Sequence, residues 1–513
     1  MIFAAFLLIG ILVSYGVKTK LIRENLVFPI ILIMYVVSLL PSLIIPYIID
    51  DLDHLTTLSL AIDTNHVREW ITAPHNEHVM PIIKSLYYFA YNNFGIDPMF
   101  MHLVIIFIAA ANLWLVYRLL SCLMPSSLIP IIGAAIFAGS NLMDLSLFVI
   151  CDTHIHYSLL FLLLLFYAQF KYFSTKKSGW LWVVFLSTLL APLTFGLAHV
   201  SLFAAYLFEK FCIPATYHEK KKTSLVFVAA GWIIGLIPYF LNINKIIHTN
   251  HYHDIGGNSA FDKINIFRTL HYLGSYFYND FFLYILPDLY LAAGLLFLCV
   301  YATWTNKNQI KKAKLLFPLF FGFFPTLIVY VFRSQWGTIG VQHSRYDVFP
   351  LVGVIFLYAF LLEKWFEQKN TLKERYYLHV LILCFVIVSL GSAYRYDKAQ
   401  RLAKETSGII QIFYLNYHDA FTGFFKANAV DKIAVKRTLL NFPLSPTLAD
   451  KKGFNPPLTR YGRGNDFFAQ FLLPKNIRER IVWSDTATDP RLLNYLKNPQ
   501  NSPRYQYFIG AVQ

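Results

Sequence analysis

Asp50 and Asp51 stand side by side at the end of a long apolar run, 26–49, and Asp53 and His54 follow within four residues. Glu77, His78 and Lys84 occupy the stretch of about 50 residues before the next apolar run. A carboxylate here can take a proton from a hydroxyl or an amine, and an ammonium or imidazole can hold an anion. Ionisable groups at a membrane boundary are costly to desolvate, so a cluster of them marks a functional site. If the apolar run continues as a helix for one more turn, Asp50, Asp53 and His54 share a face and Asp51 points aside.

Further groups recur at other boundaries. Asp152 lies in Cys151-Asp152-Thr153-His154-Ile155-His156; taken alone, it reads equally as the N-cap of the helix that follows. His154 and His156 read as solvated interfacial residues. Arg345 and Tyr346 precede Pro350. An arginine fork matches phosphate oxygens, and Arg345 beside Tyr346 serves equally as an interface anchor. Arg333 is a second candidate of the same kind. His248, His251, His253 and Asp254 adjoin Gly256-Gly257, but their spacing matches no zinc motif. There is no glycine-rich phosphate loop, dinucleotide fingerprint or Ser/His/Asp signature.

The elements that must position these groups are helices in lipid. Of 513 residues, 57% are hydrophobic and 14% charged, and the mean hydropathy is +0.49. Apolar runs at 2–17, 27–49, 101–121, 127–150, 155–172, 180–195, 197–213, 225–241, 286–305, 314–332, 346–363 and 377–395 are long enough to cross a hydrocarbon core of roughly 30 Å. Backbone groups in lipid must bond internally, so these runs predict about twelve transmembrane helices, an all-α polytopic membrane protein. The sixth and seventh depend on a break at Ala191-Pro192-Leu193-Thr194-Phe195-Gly196. The first reads as a retained helix rather than a cleaved signal peptide.

Basic residues after the first, fifth, seventh, ninth and eleventh spans place those loops in the cytoplasm. Both termini and the Asp50–Asp53 cluster are then extracytoplasmic. The same lysines account for much of the formal charge of +15, which leaves no need for a nucleic-acid partner. The five cysteines form no disulfide framework.

In the first outer loop Ile82, Ile83, Leu86, Phe89 and Ala90 recur at helical spacing, with Pro81 near the start and Gly95 and Asp97-Pro98 at the end. This predicts an interfacial amphipathic helix, with Lys84 reaching towards lipid phosphates. Beyond residue 395 hydropathy falls. The division expected is a transmembrane domain over 1–395 and a small outer domain or tail over 396–513.

The pattern resembles the GT-C superfamily of polytopic glycosyltransferases, in its protein mannosyltransferase and aminoarabinose transferase-like branch. The resemblance rests on Asp50-Asp51 after an early span and on Pro74-His75-Asn76-Glu77-His78-Val79-Met80-Pro81. It extends to Phe94-Gly95-Ile96-Asp97-Pro98 before a span with His102 and Asn112, to Asp152, and to Ser344-Arg345-Tyr346 with Pro350. It covers the topology of about the first 395 residues, with short and degenerate motifs. It implies transfer of a sugar from a polyprenyl-phosphate donor to an envelope acceptor outside the membrane. Asp50 or Asp51 would be the general base, and Asp152 would support the acceptor or the site geometry. Lys84 and Arg345 would hold the donor phosphate, with Asp53, His54, Glu77, His78 and Tyr346 lining the substrate site. Asp-Asp stands where some branches carry Asp-Glu, so either carboxylate can be the base. No cofactor follows from the sequence, although some branches use a divalent metal. A flippase for lipid-linked glycans and a non-catalytic assembly scaffold are the rival expectations; the former predicts ionisable groups deep in the membrane.

Overall fold

The computed structural model describes residues 2–45, 47, 50–74, 78–95, 97–124, 126–140, 143–214, 217, 223–244, 314–333, 348–368, 370–406, 421–436, 477, 479–484 and 489–497. Within them the chain is predominantly helical. Among the described residues five helical stretches are long and apolar enough to cross a membrane: Glu24–Ile44, Met99–Leu123, Cys151–Thr175, Ser224–Leu241 and Tyr377–Lys404. Ile2–Lys18, Leu128–Gly139, Gly179–Leu190 and Val348–Glu363 are shorter apolar helices. The apolar run at 286–305 lies outside the described residues.

Helix α1 (Ile2–Lys18) precedes α2 (Val27–Leu39). The second run does not stay α-helical to residue 49. Pro41 sits at the start of a 3-10 segment, Leu40–Ile44, and Ile45 before Pro46 is extended, the conformation a following proline favours. The acids therefore open a new helix, α3 (Asp50–Asp63), instead of closing the second span. A short α4 (Val67–Thr72) leads to α5 (Pro81–Phe94). The sequence foretells both ends of α5: Pro81 occupies its first turn, and Gly95 ends it at φ +63° with its N–H on the Tyr91 carbonyl.

Next come α6 (Met99–Leu123), α7 (Leu128–Gly139), α8 (Asp144–Phe148) and α9 (His154–Thr175). The apolar run 127–150 is thus two helices with a break after Gly139. α10 (Gly179–Leu190) stops at the Ala191–Gly196 break, as expected, and α11 (Ser201–Leu207) runs into a π turn, Phe208–Cys212. α12 (Thr223–Leu241), α13 (Leu316–Arg333), α14 (Val348–Gln368) and α15 (Asn370–Thr406) follow among the described residues. α15 continues unbroken through residue 395, so the expected division at 395/396 falls inside a helix.

Helices α6, α7, α9, α14 and α15 pack around one another, with α1 and α2 against α15. The apolar surface is sorted by helical period. On α6, Leu103, Phe107 and Trp114 form one exposed stripe, while Ile105, Ala109, Leu113 and Val116 are buried. On α15, Leu383, Leu390 and Tyr394 are exposed and Leu381, Phe385 and Val388 buried. Phe107 is 69% exposed and Leu241 on α12 is 78% exposed. Contiguous apolar stripes of this size are a liability in water and are stable facing lipid.

The C-terminal region adds strands to the expected all-α architecture. β1 (Ile433–Lys436) and β2 (Ile481–Ser484) pair in parallel, Ile433 opposite Ile481. α16 (Pro490–Lys497) packs Tyr495 on Phe424 of a short helical segment, 421–427. Phe421, Phe424, Ile433, Val435, Ile481 and Leu492 are buried, and the Arg480 guanidinium lies 4.1 Å from the Phe425 ring centre.

Candidate active site

α3 presents Asp51, His54, Leu55, Leu58 and Ala61 to the interior, the i, i+3, i+4, i+7 spacing of one helical face. This corrects the expectation that Asp51 points aside: Asp51 is fully buried. The side chains of Asp50 and Asp53 lie outside the described ones.

Two donors meet on Asp51. The Tyr87 hydroxyl of α5 donates to Oδ1 at 2.7 Å, and the Cys151 backbone N–H donates to the same oxygen at 2.6 Å. Burial pushes the Tyr87 hydroxyl well above the ordinary phenol range, and the Asp51 charge adds to this; Tyr87 therefore stays a donor. The His54 ring stacks on Tyr87 at 5.1 Å and meets Trp70 edge-on at 6.5 Å. Tyr47 lies 6.1 Å from Tyr87 between ring centres. Burial and then Asp51 raise its hydroxyl too, and its oxygen has no hydrogen-bond partner among the described residues.

The same contact brings the second acidic turn to α3. Cys151–Thr153 is a 3-10 turn in which Asp152 is buried, with Oδ1 3.8 Å from the Cys151 sulfur. Asp152 is not an N-cap: Thr153 holds that position before α9 and makes no side-chain cap bond. His154 and His156, expected to be solvated, are buried. The His154 Nδ1 pairs with the Cys151 carbonyl. The His156 Nε2 pairs with Ser146 Oγ at 2.8 Å, while Asn112 of α6 donates to the His156 carbonyl at 3.0 Å. His102 Nε2 lies 2.8 Å from the Ile45 carbonyl and ties α6 to the chain just after the second span breaks.

His78 is half-buried, its ring 5.8 Å from His154 and 4.7 Å from Phe195. Phe195 in turn stacks at 6.5 Å on Phe349 in the first turn of α14. Glu77, Arg345, Tyr346 and the histidines at 248, 251 and 253 lie outside the described residues, as does the Arg333 side chain.

Lys84 is where the sequence expectation fails most clearly. It is 3% exposed, and its ammonium donates to the Trp70 carbonyl at 3.0 Å and the Ala73 carbonyl at 2.8 Å, with the Trp70 ring centre 5.2 Å away. The side chain turns into the protein and fastens α4 to α5 instead of reaching for head groups. Burying a lysine requires such donors' partners, because an unpaired ammonium in a low dielectric costs several kcal/mol.

Tyr87, Tyr47 and Cys151 were not singled out by sequence, and neither was Arg395. Arg395 is fully buried and paired with Asp144 at 3.0 Å. Its signal was present: an arginine at the end of an apolar span that the loop charges place outside opposes the positive-inside trend and needs a compensating acid. Among the described residues no three His, Cys, Asp or Glu side chains gather as a metal site would require. No family model, curated protein or solved structure matches this chain.

Proposed function

We propose that this protein is an integral-membrane glycosyltransferase of the GT-C kind, moving a sugar from a polyprenyl-phosphate donor to an envelope acceptor. The acceptor is a glycolipid, a polysaccharide or a protein. About twelve spans, an active site and termini on the extracytoplasmic face of a bacterial inner membrane complete this reading. One observation supports it: Asp51 is held by Tyr87 of α5 and by Cys151 beside Asp152, although 100 residues separate Asp51 from Cys151. That bond joins α3 to the turn that carries the second acid, Asp152. The Tyr87 hydroxyl and the Cys151 N–H both hold the Asp51 carboxylate in place, the preorganisation that proton transfer needs.

In this mechanism the acceptor hydroxyl attacks the anomeric carbon as the bond from that carbon to the phosphate oxygen breaks. The acceptor proton passes to the carboxylate, and the lipid phosphate leaves with the electron pair. This reading does not assign the phosphate grip to Lys84, whose ammonium donates to the Trp70 and Ala73 carbonyls. Arg345 remains the candidate for that role. Phe349, four residues beyond it, packs on the Phe195–His154 group.

The test is transfer from a defined polyprenyl-phosphate sugar by the purified protein. Asp51→Asn and Asp152→Asn should each lower turnover by about a hundredfold or more; full activity in both would remove the assignment. A second reading, a flippase for lipid-linked glycans, is favoured by buried ionisable groups on the helices, Arg395 with Asp144 and Glu209 in the π turn. It predicts movement of an intact labelled carrier across proteoliposomes with no sugar released.

A further inference from the structure

The Arg395 guanidinium joins four elements. Nε donates to Asp144 Oδ1 at 3.0 Å, one Nη donates to Ser38 Oγ at 3.1 Å and the Ala138 carbonyl at 3.2 Å, and the other donates to the Ser140 carbonyl. Its face lies 4.9 Å from the Tyr35 ring centre. Ala138 and Ser140 are at the C-terminal end of α7, where carbonyls lose their helical partners and a positive charge is favoured. Lys398, one turn further along α15, reaches Asp144 Oδ2 at 3.8 Å.

Two glycines fix the register that puts Arg395 there. Gly391, one turn before it, faces Gly139; a Cβ on Gly391 would collide with the Gly139 backbone, and one on Gly139 with Ile387. α15 therefore touches the end of α7 backbone to backbone. From Asp144 the chain runs through the five-residue α8 straight into the 3-10 turn. Leu147, Phe148, Val149 and Ile150 are all buried on the way. The Asp152 and Thr153 amides bond back to the Val149 and Ile150 carbonyls at 3.1 and 3.2 Å. That connection is short, buried and internally bonded, so it has little freedom of its own.

We propose that Arg395 is a positioning residue for the carboxylate site. Its bond to Asp144 fixes α8 and the Cys151–Thr153 turn, and so keeps the Cys151 N–H on Asp51 with Asp152 beside it. The clamp is a matter of geometry; only its consequence for turnover rests on the transferase reading.

Cys151 is a built-in reporter, because a buried thiol reacts only through opened states and its rate follows their population. The experiment uses the full-length protein in detergent, treated with N-ethylmaleimide, with alkylation read at each cysteine by peptide mass. Arg395→Lys keeps the charge and loses the fork. It should raise Cys151 alkylation about tenfold while Cys384 on α15 and Cys212 in the π turn keep their rates. Arg395→Met with Asp144→Leu removes both charges together, a change that buried ion pairs tolerate. Ser38→Ala removes a single contact, and both should shift Cys151 in the same direction. An unchanged Cys151 rate in the variants that fold overturns the proposal, as does a parallel rise at Cys384 and Cys212. In the transfer assay Arg395→Lys should lower kcat and leave the donor KM in place. Absent transfer in the wild type, with the Cys151 shift intact, defeats the transferase reading and not the clamp. Transfer that Arg395→Lys leaves unmoved, with Cys151 unmoved, defeats the clamp and not the reading.

Discussion

Replacing Tyr87 by Phe removes one oxygen and leaves the ring in place, so it isolates the bond to Asp51. That bond is 2.7 Å long and buried, and its acceptor is a carboxylate. Hydrogen bonds to charged groups contribute about 1.5–3 kcal/mol, and no cavity of consequence opens when only a hydroxyl is lost. The expected cost is therefore about 1.5–3 kcal/mol. Tyr47 supplies the internal control. Its ring centre is 6.1 Å from that of Tyr87, it is also buried, and its hydroxyl has no partner among the described residues. Tyr47→Phe deletes the same atom without deleting such a bond, and relieving a buried unpaired hydroxyl stabilises by up to about 1–3 kcal/mol. The two variants should thus separate by at least about 1.5 kcal/mol, with opposite or null sign for Tyr47. Equilibrium unfolding in mixed micelles of rising SDS fraction reads this difference directly. Equal costs for Tyr87→Phe and Tyr47→Phe would refute the claim that Tyr87 anchors the carboxylate, and with it the preorganised site.

Two further outcomes follow from the geometry. Lys84→Met should cost about 1.5–3 kcal/mol in the same unfolding assay, because it removes charge-assisted bonds to two carbonyls, while the KM for a polyprenyl-phosphate sugar stays within twofold; a selective rise in that KM would restore the phosphate-grip role. Asp489 caps α16, accepting from the Arg491 N–H at 2.9 Å with Pro490 in the first turn, so Asp489→Ala should cost about 1 kcal/mol and raise amide exchange in α16. The Arg491 hydrogen bond holds the Asp489 carboxyl below its usual range. The capping contribution is therefore full above about pH 4 and is lost as pH falls through the lowered folded value; the protection factors of the α16 amides, corrected for the intrinsic pH dependence of exchange, should fall on acidification in the wild type and stay flat in Asp489→Ala.

Much of the architecture was written in the order of residues. Apolar run length predicts helices wherever backbone groups cannot reach water, and Pro81 and Gly95 delimit α5 because one lacks an N–H and the other tolerates positive φ. The break at 191–196 was visible for the same reason. The halt of the second run is legible in Pro41 and Pro46, although hydropathy continues through them.

Period alone states which side chains share a face and is silent about which face turns inward. Asp51, His54, Leu58 and Ala61 line up on any helix drawn through α3; that this side is the buried one depends on Tyr87 and Cys151 arriving opposite it. Lys84 shows the same limit, for a long stem at the polar edge of an amphipathic helix reaches lipid or protein according to what carbonyls lie nearby. Arg395 and Asp144 are 251 residues apart, and Asp51 and Cys151 are 100 apart. Local propensity and hydropathy carry no information across such separations. Buried charges find partners only once helix packing has excluded water from both, so the sequence determined the helices and the presence of the acids, and the packed bundle decided which acid is held and by what.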